Sequence, residues 1–262
     1  MALSKFHFVL SLGNLAVTVF FVRNVCAEPR PYQLSYAVYR NGKLVGQAEA
    51  NMQQQGERWS IRGAGSGTRG LGRLLGVTDE EQVEGYFLDG RFRPDRFSHH
   101  SRLAGFSDDW SAQFNWQDNT VAITKDDDVL SLDMGPGALD KLSVKVELQR
   151  RLREQDPNLQ FFEVRDDEIK PQTYRALPAQ QLDTSLGCLN TIPVELVTTG
   201  TTSYSRSWQA PDLDFLTVRL ERGKTDGVHL DMRISAMVLD GKKINPQAPC
   251  SVPQSGSSSA DG

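Results

Sequence analysis

The chain has 262 residues, 39% of them hydrophobic and 24% charged, which is enough apolar material for one large domain or two small ones and excludes disorder as a whole-chain reading. Its 29 Lys and Arg against 33 Asp and Glu leave a formal charge of −4, so composition offers no electrostatic reason to expect a nucleic-acid partner.

The first predicted element is an export signal. Lys5 precedes an apolar run from Phe6 to Val22, and Val25 and Ala27 put small residues before Glu28, the pattern of a signal peptide cut after Ala27. The run is interrupted by Gly13-Asn14, and an uncleaved anchor is the alternative. A lipoprotein signal fits poorly, because Arg23 and Val25 stand where a lipobox before Cys26 wants Leu and a small residue. The expected boundaries are therefore a signal peptide over 1–27, one β-rich domain over 28–245, and a Pro/Ser/Gly-rich tail over 246–262, disordered beyond Cys250. Cleavage removes Lys5 and Arg23, making the mature chain two charges more negative. It also removes Cys26 and leaves Cys188 and Cys250 as an even pair. In an oxidising compartment these are expected to form a disulfide; the alternative is one buried and one exposed thiol.

The mature chain reads as short alternating segments separated by turns. Leu34, Tyr36 and Val38 alternate up to Asn41-Gly42, a strong hairpin signal, and Leu44, Gly46, Ala48, Ala50 and Met52 continue on one face. Trp59 and Ile61 open a third strand. Asp89-Gly90, Asp118-Asn119 and Asp226-Gly227 mark further turns, and Val228 to Val238 is the cleanest alternation. The expected fold is mainly β, a curved antiparallel sheet or open barrel wrapped around a single long α-helix, with about seven strands before the helix and about six after it. That helix is expected over Ala138–Glu154. Leu139, Leu142 and Val146 lie on one side and Val144, Leu148 and Leu152 roughly opposite, so it must be covered twice. A short helical turn is expected at Leu71–Leu75. No other stretch is long and apolar enough to cross a membrane.

The motif search mostly excludes. Gly65-Ser66-Gly67-Thr68-Arg69-Gly70 has the spelling of a dinucleotide-binding loop, but no parallel βαβ unit surrounds it, so a glycine-rich connection is expected and no cofactor. His99 and His100 point to opposite faces of a strand and cannot easily share an ion; with no completing ligand spacing, no metal site is expected. Asp126-Asp127-Asp128 lacks the glycine and glutamate of a calcium loop and reads as a charged turn. Ser66 is not in a nucleophile elbow, and Glu80 and Glu81 occupy alternate faces, so no catalytic residue is assigned. A basic stretch of Arg91, Arg93, Arg96 and Arg102, with Lys43, Arg58, Arg62, Arg69 and Arg73, is expected as a solvated face, or alternatively as a surface for anionic lipid, polysaccharide or a partner.

Several phrases together carry a resemblance: Tyr36-Ala37-Val38-Tyr39 with Gly42 and Val45-Gly46, Arg93-Pro94, Asp140-Lys141-Leu142-Ser143, Thr184-Ser185-Leu186-Gly187 with Thr191, and Trp208-Gln209-Ala210-Pro211-Asp212-Leu213-Asp214-Phe215-Leu216 before Val218-Arg219. From about Tyr32 to Leu239 the chain resembles the exported bacterial family known as domain of unknown function 3108. The resemblance implies a β-rich periplasmic or envelope-associated protein of a Gram-negative bacterium, and no reaction. Within its most specific segment, Trp208, Pro211, Asp212, Asp214 and Arg219 are expected to serve the fold, with Pro211 and Asp212 in a tight turn between strands. Cys188 and Cys250 stand outside the pattern. The functional expectation is a non-enzymatic binding or envelope-maintenance protein with an apolar concave sheet face, for which a lipid or other envelope component is the expected partner. The alternative is an enzyme acting on envelope polysaccharide or lipid, with a site that sequence does not reveal.

Overall fold

A computed structural model of the chain describes residues 29–135 and 137–251. The expected signal peptide and residues 252–262 of the expected tail lie outside the described residues. Eight strands precede the main helix: β1 (Tyr32–Arg40), β2 (Lys43–Gln55), β3 (Arg58–Gly67), β4 (Thr78–Leu88), β5 (Arg91–Leu103), β6 (Phe106–Asn115), β7 (Thr120–Lys125) and β8 (Asp128–Asp133), with a five-residue helix α1 (Gly70–Leu74) between β3 and β4. After helix α2 (Lys141–Arg153) come β9 (Gln160–Val164), β10 (Ile169–Ala176), β11 (Gln180–Thr184), β12 (Gly187–Leu196), β13 (Ser203–Ala210), β14 (Leu216–Lys224), β15 (His229–Leu239) and β16 (Lys242–Lys243).

These strands form one 16-stranded antiparallel sheet in the order β8-β7-β6-β5-β4-β3-β2-β1-β15-β14-β13-β12-β10-β9, with β11 on β12 and β16 on β15. Each half of the chain is largely a meander, because most strands follow their neighbour through a tight turn. The halves meet where β1 pairs with β15, from Tyr32 opposite Leu239 to Arg40 opposite Leu230. The sheet is not closed by a ladder between its terminal strands. It curls back instead: the Lys125 ammonium on β7 is held by Asp108 on β6, at 2.9 Å, and by Asp166 in the β9–β10 turn.

α2 lies against β3, β4, β5 and β9 and so joins parts of the sheet that are far apart in strand order. Its two apolar sides go into different cores. Leu142 and Val146 join the large cluster that includes Ile61, Val83, Phe97, Ile123 and Met237, while Val144, Leu148 and Leu152 pack with Leu159, Phe161 and Val194.

The expectation of a single long central helix is corrected. α2 has 13 residues, roughly 20 Å at the rise of an α-helix, and most of the concave face is filled by the sheet's own side chains. Its start is set by Asp140, whose extended backbone and carboxylate cap the first turn by accepting from the Leu142 and Ser143 amides at 2.9 and 3.1 Å. Leu139 is thereby left outside the helix, in a parallel bridge with Glu163, and it packs in the second core rather than beside Leu142. Gln155, at φ 56°, ends the other terminus. The expected seven and six strands become eight and eight.

Past β16 the chain stays on the sheet. The Gln247 amide donates to the Leu186 carbonyl, the Cys188 amide donates to the Ala248 carbonyl, and Cys188 is joined to Cys250 by a disulfide. The bond spans 62 residues, which corresponds to about 4 kcal/mol in the loop-entropy model.

A candidate functional site at the start of the main helix

Residues paired directly across antiparallel strands share a face, so the register locates the site. One row of the concave face is wholly apolar: Met52, Ile61, Val83, Phe97, Ala112 and Ile123. The next row changes character, running Ala50, Gly63, Glu81, His99, Trp110 and Lys125. Beyond it Gly65, Asp79, Ser101 and Asp108 form a third row. Three acids, a histidine and a lysine thus share these two rows, on the face that α2 covers.

The helix packs directly over Gly63, where an added Cβ would be in ordinary contact with Leu142, at 3.7 Å. The residue before Leu142, Lys141, places its ammonium on the Glu81 carboxylate. His99 Nδ1 is 3.4 Å from Glu81 Oε1 and 3.7 Å from Asp79 Oδ1, and its Nε2 is 3.9 Å from Asp108. His99 rests near Trp110, with ring centroids 6.1 Å apart. Asp79 Oδ1 is buried without a hydrogen-bond partner.

The electrostatics follow from this crowding. Burial works to raise the Glu81 carboxyl, but its bond to His99 and the positive charges of Lys141 and Lys145 overcome that and hold it well below the ordinary carboxylate range. His99 is raised, chiefly by its bond to Glu81, against the opposing effect of burial and with help from the Glu81 and Asp79 charges. Glu81 and His99 thus each favour the charged form of the other.

Asp79, Glu81 and His99 have ligand atoms within 4.8 Å of one another, which is metal-ligand spacing, and the same holds for Glu221, His229 and Asp231. Neither set suits a resident cation, because in each a side chain already fills that role: Lys141 on Glu81, and Arg219 and Arg233 on Asp231. The first cluster is a charge network that fastens the helix to the sheet and holds a titratable imidazole on the concave side.

Sequence reasoning missed this convergence. It set Glu81 and His99 aside as alternating strand residues. His100 does point to the other face, where its Nδ1 meets Asp109 at 3.2 Å. The missing information was a β-bulge. Leu88 pairs with Arg91 and Gly85 with Pro94, but Glu84 pairs with Arg96, leaving Asp95 as the extra residue. Without it Glu81 would face Ser98, and His99 would point to the opposite face beside Glu80. Gly85 makes the bulge possible, since a Cβ there would lie 2.2 Å from the Arg93 carbonyl oxygen. A Gly in a strand just before Asp89-Gly90 and Pro94 was the available signal.

The other expected positions form a separate clasp. Trp208 is buried on β13 with the Arg219 and Arg206 guanidinia 4.9 and 5.8 Å from its ring. Arg219 donates through Nε and Nη2 to both carboxylate oxygens of Asp231, each at 3.0 Å, and Asp231 also receives Arg233. Pro211 starts a 3-10 turn that includes Asp212 and Leu213. Asp214, at φ 57°, accepts from Arg153 of α2 at 2.7 Å. Asp212 itself is exposed. The motif ties β13, β14 and β15 to the far end of the helix. Cys188 and Cys250 lie apart from both groups.

No curated protein matches the chain. A crystal structure of a β-barrel-like protein of domain of unknown function DUF1849 from Brucella abortus is similar over 81% of this chain and 99% of that one, at 11% identity and a TM-score of 0.56, which shows a shared fold. A putative exported protein with a YmcC-like fold from Bacteroides fragilis aligns over 80% of this chain and 97% of its own, at 9% identity and a TM-score of 0.35. The family model described as protein of unknown function (DUF3108) matches residues 32–233, and the chain belongs to that family.

Proposed function

We propose that this is a periplasmic protein of a Gram-negative envelope, exported with cleavage after Ala27, that works by binding an envelope component rather than by catalysis. The observation that carries the reading is that most charged groups of this site are committed to one another: Lys141 neutralises Glu81, Glu81 holds His99, and Lys125 joins Asp108 to Asp166. A general base must offer its lone pair to a substrate, and Glu81 spends its own on an ammonium under a helix. The disulfide between Cys188 and Cys250 supports an oxidising compartment. The apolar lining is occupied by α2 and by core side chains, so attachment through the rim of the sheet fits better than an open cup. Among the described residues no helix is long and apolar enough to cross a membrane. Mass spectrometry of the protein taken from its producing cell without detergent stripping is the test. A stoichiometric envelope lipid or glycan supports the reading; its repeated absence, with no uptake of either by calorimetry, overturns it.

One observation favours an enzyme of envelope polymers as the second reading, the convergence of Asp79, Glu81 and His99. It requires soluble fragments to be released from isolated envelope polymer by the natural protein and not by the His99→Ala variant.

A further inference from the structure

At one rim of the sheet, apolar side chains stand in solvent on elements that are firmly held. Leu74 is 78% exposed and Leu75 39% on and just after α1, and Leu103 is 54% and Phe106 80% exposed at the β5–β6 hairpin. The two elements are joined, since the Ala104 amide donates to the Leu75 carbonyl at 2.9 Å. Both are tied to the sheet through their backbones. α1 packs backbone to backbone on the end of β3, where a Cβ on Gly67 would lie 2.4 Å from the Gly72 carbonyl carbon; the Thr68 and Arg69 amides donate to the Val45 carbonyl. Gly67, one of the glycines that spell a nucleotide loop, therefore lets this short helix seat on the sheet with Leu74 outward.

Cations surround the apolar tip. Arg69 precedes α1, Arg73 lies in its last turn, and Arg102 precedes Leu103; all three are exposed, and none makes an ion pair among the described residues. The neighbouring basic residues differ, with Arg58 on Asp95 and Arg62 on Glu80. The acids beside Phe106 are engaged, Asp108 by Lys125 and Asp109 by His100. The acidic turn Asp126–Asp128 belongs to the next hairpin but one and bounds the basic sector.

Apolar side chains projecting beyond a collar of unpaired guanidinia match the anionic headgroup surface of a lipid bilayer, where the guanidinia meet phosphates and Leu and Phe reach the acyl boundary. We propose that the α1 turn and the β5–β6 tip form a peripheral docking surface for anionic membrane. This goes beyond the reading above and rests on it only for where the bilayer is met. Vesicle binding by purified protein stands or falls independently of export and of any co-purified ligand.

The test is sedimentation of the exported protein with vesicles containing phosphatidylglycerol and with vesicles of phosphatidylcholine alone. Leu74→Ser/Phe106→Ser is compared with Phe162→Ser, which removes an exposed apolar residue elsewhere, all purified from the same compartment and with thermal unfolding recorded. Expected are binding to the anionic vesicles that weakens as salt rises, little binding to phosphatidylcholine, a fall of about tenfold or more for the double variant, and none for Phe162→Ser. The proposal is overturned by absence of binding to anionic vesicles, by equal binding to both lipids, by an undiminished double variant that unfolds like the natural protein, or by an equal loss in Phe162→Ser. If the double variant does not fold, Arg73→Gln/Arg102→Gln decides, with the same fall in anionic binding expected and no change overturning the proposal.

Discussion

Glu81 and His99 meet, Oε1 to Nδ1 at 3.4 Å, because Asp95 is an extra residue between Pro94 and Arg96. One inserted residue moves His99 from one face of the sheet to the other and places it under α2. The bulge in turn depends on Gly85.

Gly85→Ala is expected to lower stability by about 2 kcal/mol or more, because its Cβ would collide with the Arg93 carbonyl. Urea unfolding gives the cost. The imidazole resonances of His99 should lose their elevated titration, and a variant that is destabilised with His99 unchanged would mean the bulge does not set the register.

The pair has a pH signature of definite sign. Glu81 is lowered, so its contribution is present above the ordinary value near 4.5 and is lost as pH falls through its depressed native value. His99 is raised, so its contribution is full below about 6.5 and is lost as pH rises through its elevated native value. The natural protein should therefore lose melting temperature above about pH 6.5 relative to His99→Gln. Parallel profiles for the two proteins would refute the coupling.

Asp140 separates capping from charge. Burial pushes its carboxyl up to about 6, against the stabilising bonds from Ser143 and Leu142. The native state thus holds a proton more tightly than the unfolded chain, and this group's contribution to stability falls as pH rises from about 4 to about 6. Asp140→Asn, which can still accept from the helix amides, should flatten that dependence. Asp140→Ala loses the cap as well as the titration, so it should be about 1 to 2 kcal/mol less stable than Asp140→Asn at either pH. Denaturant midpoints at pH 4.5 and 7.5 distinguish the two.

Arg219→Leu leaves Asp231, only 3% exposed in its side chain, with Arg233 alone and removes the cation closest to the Trp208 ring. A loss of about 3 kcal/mol is expected, together with a shift of tryptophan emission. A change below about 0.5 kcal/mol would show that the motif does not hold the fold.

Legibility in the sequence follows the range of the interaction. Asn41-Gly42 and Asp89-Gly90 disclose their hairpins because the turn chemistry is local, and both sites have positive φ in the structure. The two-sided pattern of Leu142 and Val146 against Val144, Leu148 and Leu152 discloses the double burial of α2 for the same reason. Leu139 belongs to that pattern by spacing, but a bridge to Glu163, 24 positions away, takes it out of the helix. β11 and β16 have five and two residues, too few to alternate visibly. The Glu81–His99–Lys141 cluster combines three segments through a bulge and a glycine contact, neither of which has a periodic signature.

Intact-mass analysis of the protein from a periplasmic fraction, with and without a thiol-alkylating reagent, reads the proposed export and oxidation together. Expected are a chain beginning at Glu28, Cys188 and Cys250 unreactive until reduced, and a loss of about 4 kcal/mol on reduction. A chain found only in the cytoplasm, retaining residues 1–27 and taking up reagent at both cysteines without reduction, would contradict both.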